Sequence, residues 1–218
     1  MNDLSVTGIV LKAEPIGEYD RRVVLLTKER GKISVFARGA LRPKNRFVAC
    51  TNPFVFGTFE LYAGSNSYSL TKVDVQNYFD RFMTDLDVTF YGTYFLEIAD
   101  YYGRENTDNV ALLRLLYKAL TLLCDENYTK DFVKTVFELK AIMLEGEFPF
   151  DHANDLPEGG KSVLKYIYES KPENVFSFRV GDESYEKLKE RATIVRSNTF
   201  DKPFHSLPMI ELAERNKE

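Results

Sequence analysis

Apolar and polar residues alternate in short runs through residues 1–80, and a period of two is what a half-buried β-strand presents. Runs over 5–11 and 22–27 read as the first two strands. The tetrad Lys28-Glu29-Arg30-Gly31 supplies a tight turn into a third over 32–38. After the loop GALRPKNRF, runs over 54–62 and 67–75 read as two more, joined by the Gly-containing hairpin Ala63-Gly64-Ser65-Asn66.

Beyond Asn77 the period lengthens to that of a helix. Leu86, Phe90, Tyr94, Phe95, Ile98 and Tyr102 recur at helical intervals, with Asp85 or Asp87 near the start. Further helices are predicted over 108–123, with Asn106, Thr107 or Asp108 as N-cap, and over 130–144, 161–169 and 183–196. Residues 146–160 read as a loop from their Gly and Pro content, and a short apolar segment occupies 175–180. The tail over 202–207 is apolar enough, with Phe200, Phe204 and Leu207, to dock back. Five strands within 80 residues are too few for a sandwich and fit a small closed barrel. The fold class is therefore α+β: an N-terminal five-stranded OB-fold β-barrel over 1–79, followed by an α-helical C-terminal domain over 80–218.

A hydrophobic fraction of 44% and a charged fraction of 28% are those of an ordinary globular chain. Two cysteines, Cys50 and Cys124, make no disulfide framework. The N-terminus lacks a basic segment followed by a long apolar one, and no run of ~18 apolar residues occurs. A soluble, cytoplasmic protein with no membrane partner is expected.

The net charge of −4 argues against a polyanionic partner, but its distribution reverses the argument. Residues 1–80 carry 11 basic and 8 acidic side chains, net +3, leaving −7 for the rest. Residues 21–50 hold nine bases against one acid, Glu29. In the strand over 32–38, Ile33, Val35 and Ala37 share one face, and Lys32, Ser34, Phe36 and Arg38 the other. Cations beside an aromatic ring are what a single nucleic-acid strand requires, since phosphates are neutralised while a base stacks. The following loop adds Arg42, Lys44 and Arg46, stiffened by Pro43. The competing reading makes Phe36 a minor core residue and the cations a solubilising surface.

No GxxxxGK[ST] or GxGxxG pattern occurs, so nucleotide-triphosphate chemistry has no support. The carboxylate pairs Asp85/Asp87 and Glu145/Glu147 lie at helix ends with no histidine or metal-ligand set beside them. Neither a catalytic residue nor an enzymatic activity is expected.

The string GIVLKAEPIGEYDRRVVLLTKERGKISVFARGALRPKNRF, followed in order by PFVFGTFELYAG, YFDRF, YGTYFLEIADYY and FELKAIMLEGEFP, resembles the bacterial RecO family of recombination mediators over 7–149. The resemblance implies an OB-fold and a helical domain that bind single- and double-stranded DNA and anneal complementary strands. It also implies association with RecR and with the C-terminal tail of single-strand-binding protein (SSB), to help load recombinase. The residues that map onto the family's basic region are Arg21, Arg22, Lys32, Arg38, Arg42, Lys44 and Arg46.

One departure stands out. Many members of the family carry a four-cysteine zinc module after the GEFP-like string, whereas here DHANDLPEGG follows, without cysteine. Cys50, Cys124, His152 and His205 are too scattered to make a tetrahedral site, so no metal and no cofactor is expected. An acidic SSB tail ending in an aromatic residue needs an apolar pocket rimmed by cations, for which Arg114, Lys118, Lys134 and Lys140 are the candidates. The alternative function is an OB-fold interaction adaptor without intrinsic DNA binding.

Overall fold

The computed structural model describes residues 3–65, 67–150 and 156–215. Asn66 of the expected hairpin and His152 lie outside them. The chain forms two compact units, Met1–Leu113 and Arg114–Glu218.

In the first unit, β1 (Asp3–Ile16), β2 (Asp20–Thr27), β3 (Gly31–Ala37), β4 (Phe56–Ala63) and β5 (Tyr68–Asn77) close into a barrel in the order β1-β2-β3-β5-β4. Alternation directs Val6, Val10, Val23, Leu25, Ile33, Val35, Phe59 and Leu61 into its core. β1 runs well past residue 11, through Pro15 to Ile16. Beyond Ile9 it keeps register with β2 alone, where proline is tolerated.

β3 and β5 are parallel and meet at only two positions, Val35↔Tyr68 and Phe36↔Ser69. Residues 104–106 take up the rest of that edge, with Lys32 N–H donating to the Arg104 carbonyl at 3.0 Å and Asn106 N–H to that of Arg30 at 2.9 Å. A helix of four residues, α1 (Phe47–Cys50), lies between β3 and β4 and sends Phe47 and Cys50 into the barrel core. Short α2 (Arg81–Thr84) precedes α3 (Leu86–Tyr102), whose N-cap is Asp85, its carboxylate accepting from Val88 N–H at 3.2 Å. Tyr94, Phe95 and Ile98 of the aromatic stripe are buried, whereas Leu86, in the first turn, is exposed.

Helix α4 (Val110–Leu123) starts before the division between the units and ends beyond it. The second unit is then built on α5 (Lys130–Leu144), buried continuously from Val133 to Met143 and capped by Thr129. Against it pack α6 (Glu158–Glu169) and α7 (Asp182–Thr199), and α8 (Leu207–Arg215) follows in the chain. Residues 175–180 are neither helix nor strand, but Val175 and Phe176 are buried. The tail does dock, with Phe204 buried and edge-on to Phe200 at 4.8 Å. Among the described residues, no helix is long and apolar enough to cross a membrane.

Candidate nucleic-acid interface

The basic loop over 38–46 is held at both ends by the start of β2. At its beginning, Gly39 N–H donates to the Asp20 carboxylate at 2.7 Å and Leu41 N–H to the Tyr19 carbonyl at 2.8 Å. At its far end, one guanidinium nitrogen of Arg21 reaches the Val48 carbonyl (3.1 Å), Thr51 Oγ1 (3.0 Å) and Asn52 Oδ1 (2.9 Å). The loop turns through left-handed backbone at Gly39 (φ 70°) and Lys44 (φ 63°). Several cations are thereby fixed at one end of the barrel.

Arg22 and Phe36 face each other across the β2–β3 ladder, both exposed on its outer face. The alternation expected for 32–38 holds, and Phe36, 36% exposed, is not a core residue. Arg22 donates to Glu14 at 2.5 Å, and Lys12 pairs with the same carboxylate. The hydrogen bond from Lys12, then that from Arg22, holds the Glu14 carboxyl below its usual range, so three charges sum to a single positive one. Arg38 and Lys44 are exposed and make no hydrogen bond or ion pair with any described residue, so their charge is uncompensated. The Arg42 guanidinium lies 4.6 Å from the centre of the Tyr19 ring. Arg46 lies 4.8 Å from that of Phe47 and donates to the Thr71 carbonyl at 2.7 Å.

Two of the candidates have other work. Arg21 is turned toward α1 as a clamp. Lys32 sits at the opposite end of β3, six residues and roughly 20 Å from Arg38, where its ammonium is bound to Asp100 of α3. Tyr19, by contrast, stands 46% exposed beside the loop, and sequence reasoning passed over it. The signal was its place in GEYD, immediately before the paired arginines.

None of the four cations expected to rim a partner groove lines the cavity found between residues 127–132 and 176–185. Arg114 is paired with Glu173 at 2.9 Å, and Lys118 is half-buried. Lys134 is buried 3.6 Å from buried Glu138, which also takes Arg196 at 3.3 Å. Lys140, also buried, donates to the Ile167 and Tyr168 carbonyls. α5 is enclosed on all sides, which turns its lysines inward. That cavity, of about 840 Å³, opens between Tyr128, Phe132, Phe178, Arg179 and Tyr185. It unites segments some fifty residues apart, so no local pattern announced it. Among the described residues, no group of three or more His, Cys, Asp or Glu is placed to hold a metal ion.

A closed five-stranded barrel with a helix between its third and fourth strands defines the OB-fold class, here followed by an α-helical region. Family models carry the assignment further: that for the N-terminal part of recombination protein O matches residues 1–79, and that for its C-terminal part residues 83–149. The chain is 28% identical over 250 aligned positions to the DNA repair protein RecO of Acetivibrio thermocellus, covering 100% of both. To that of Clostridium novyi it is 25% identical over 241, covering 96% of this chain and 94% of the relative. To that of Symbiobacterium thermophilum it is 34% identical over 145, covering 66% and 57%. The chain belongs to the RecO family of DNA repair proteins.

Proposed function

We propose that this chain is a recombinational-repair mediator that binds DNA on the basic end of its barrel and anneals complementary single strands. The observation that carries the reading is the uncompensated pair Arg38 and Lys44, beside Arg22 and exposed Phe36, on a loop fixed by Asp20 and Arg21. Annealing on such a surface breaks and makes no covalent bond. Cations screen two phosphate backbones from each other, and base pairing drives the rest. The same cations accept duplex phosphates. On this reading the barrel handles DNA, the helical region handles partners, and the protein acts in the cytoplasm.

Family resemblance supplies the partner expectations, RecR and the SSB tail. The cavity between Tyr128, Phe132, Phe178 and Arg179 has the aromatic walls and the cation that an acidic, aromatic-ended tail requires. It replaces Lys134 and Lys140 as the place to look.

The test is a titration of fluorescent oligo(dT) at increasing salt, paired with strand annealing on bare and SSB-coated templates. Neutralising about five phosphates gives a slope of log affinity against log salt near −3.5. The double variant Arg38→Glu/Lys44→Glu should lose binding while melting like the parent, both residues being exposed and without a side-chain partner among the described residues. A slope near zero, or no binding even at low salt, leaves the interaction-adaptor reading in its place.

A further inference from the structure

Tyr19 is a half-exposed aromatic residue in a surface turn, yet its backbone is firmly held. Its carbonyl accepts from Leu41, and its neighbour Asp20 accepts from Gly39. Its ring is 46% exposed, and the ring contact that orients it is the Arg42 guanidinium at 4.6 Å. Such a pair sets a cation and a ring side by side, the two groups that a phosphate and a neighbouring base require. Resting on the DNA-binding reading above, we infer that Tyr19 is a stacking platform for an unpaired base, with Arg42 taking the phosphate of the same stretch of strand.

The chemistry divides between the two side chains. A guanidinium has five donors and no acceptor, so an arriving phosphate is a better partner than the ring face. As Arg42 turns to it, the π face of Tyr19 is released to a base, which finds there the contact that aromatic side chains give single strands. Phe36, paired with Arg22 three residues beyond Tyr19, lies roughly 10 Å from it along the strand direction, and exposed Arg38 follows Phe36 by two residues. Duplex DNA offers the same phosphates but keeps its bases stacked on each other. Preference for single strands therefore resides in Tyr19 and Phe36, and general affinity in Arg38, Arg42 and Lys44.

The chain contains no tryptophan, so Tyr19→Trp is a clean reporter in the full-length protein. Titrated with oligo(dT), duplex DNA and heparin, each followed also by anisotropy or competition, the fluorescence of the introduced indole should be quenched by oligo(dT) alone. Tyr19→Ala should weaken oligo(dT) binding at least about fivefold, at the lower end of base–aromatic stacking. Its salt slope should be unchanged, because a neutral ring releases no counterion. Oligo(dT) that binds without quenching, or heparin that quenches equally, overturns the stacking role and leaves DNA binding by the barrel intact. No binding of oligo(dT) to the parent protein overturns both.

Discussion

The ammonium of Lys32 donates to both the carbonyl and the carboxylate of Asp100, at 2.5 and 3.0 Å, and so fastens α3 to the barrel. A cation whose sequence context marks it for DNA is thereby committed to the fold. Lys32→Met should keep the salt slope of DNA binding, since no phosphate contact is lost, while unfolding about 1 to 2 kcal/mol more easily. Urea denaturation and the oligonucleotide titration, done on one preparation, check the two halves. A slope reduced by ~0.7 would return Lys32 to the interface.

Arg21 presents the complementary case, in which a residue matters to the interface without touching DNA. Its guanidinium gathers three acceptors at the end of α1, and through them sets where the basic loop finishes. Arg21→Lys preserves charge but replaces the planar guanidinium, one of whose nitrogens meets all three acceptors, with an ammonium on a flexible stem. Weaker oligonucleotide binding at an unchanged salt slope is expected, with a stability loss of about 1 to 2 kcal/mol. Unchanged affinity would show that the loop needs no anchor there.

Much of this was legible in the chain, for identifiable reasons. Alternation such as Ile33, Val35, Ala37 against Ser34, Phe36, Arg38 names the inner and outer faces of a strand, and burial follows it. Charge density over 21–50 marked the strands as basic but not which end, since Lys28, Arg30 and Lys32 stand at the far end of the β2–β3 ladder from Arg38. What escaped depends on contacts distant in sequence. Lys32 meets Asp100 across 68 residues, and Lys134 and Lys140 are turned inward because α5 is surrounded. Helices as short as α1 and α2, four residues each, have no period to read. α8 hides behind Pro208 in its first turn, where proline is at home but looks like a breaker.

Gly31 and Gly17 separate backbone strain from crowding. Both have left-handed backbone, φ 63° and 59°. A Cβ on Gly31 would sit 2.2 Å from the Arg104 carbonyl oxygen, whereas one on Gly17 meets nothing within 4 Å. Gly17→Ala should cost about 1 kcal/mol, the strain of an L-residue in that region. Gly31→Ala should exceed it by roughly 2 kcal/mol or more, because the segment over 104–106, bridged to Gly31 at Glu105, must move away from β3. Equal melting temperatures for the two variants would mean that this segment adapts freely.

Lys140 makes the pH dependence of the second unit informative. Its buried ammonium donates to the Ile167 and Tyr168 carbonyls in the last turn of α6, both at 2.9 Å, groups that the helix itself cannot satisfy. Lys140→Met should therefore cost about 2 kcal/mol near neutral pH. Burial also lowers the lysine below its ordinary 10.5, so between the lowered value and 10.5 the unfolded chain holds more protons than the folded one. In that window the stability contributed by Lys140 rises with pH. Below it, the charged group carries its full desolvation cost, and above 10.5 the contribution levels off. The stability gap between parent and Lys140→Met, from urea denaturation at about pH 7 and about pH 10, should accordingly widen on the alkaline side. A gap that narrows would mean that the ammonium gains more from the two carbonyls than it loses on leaving water.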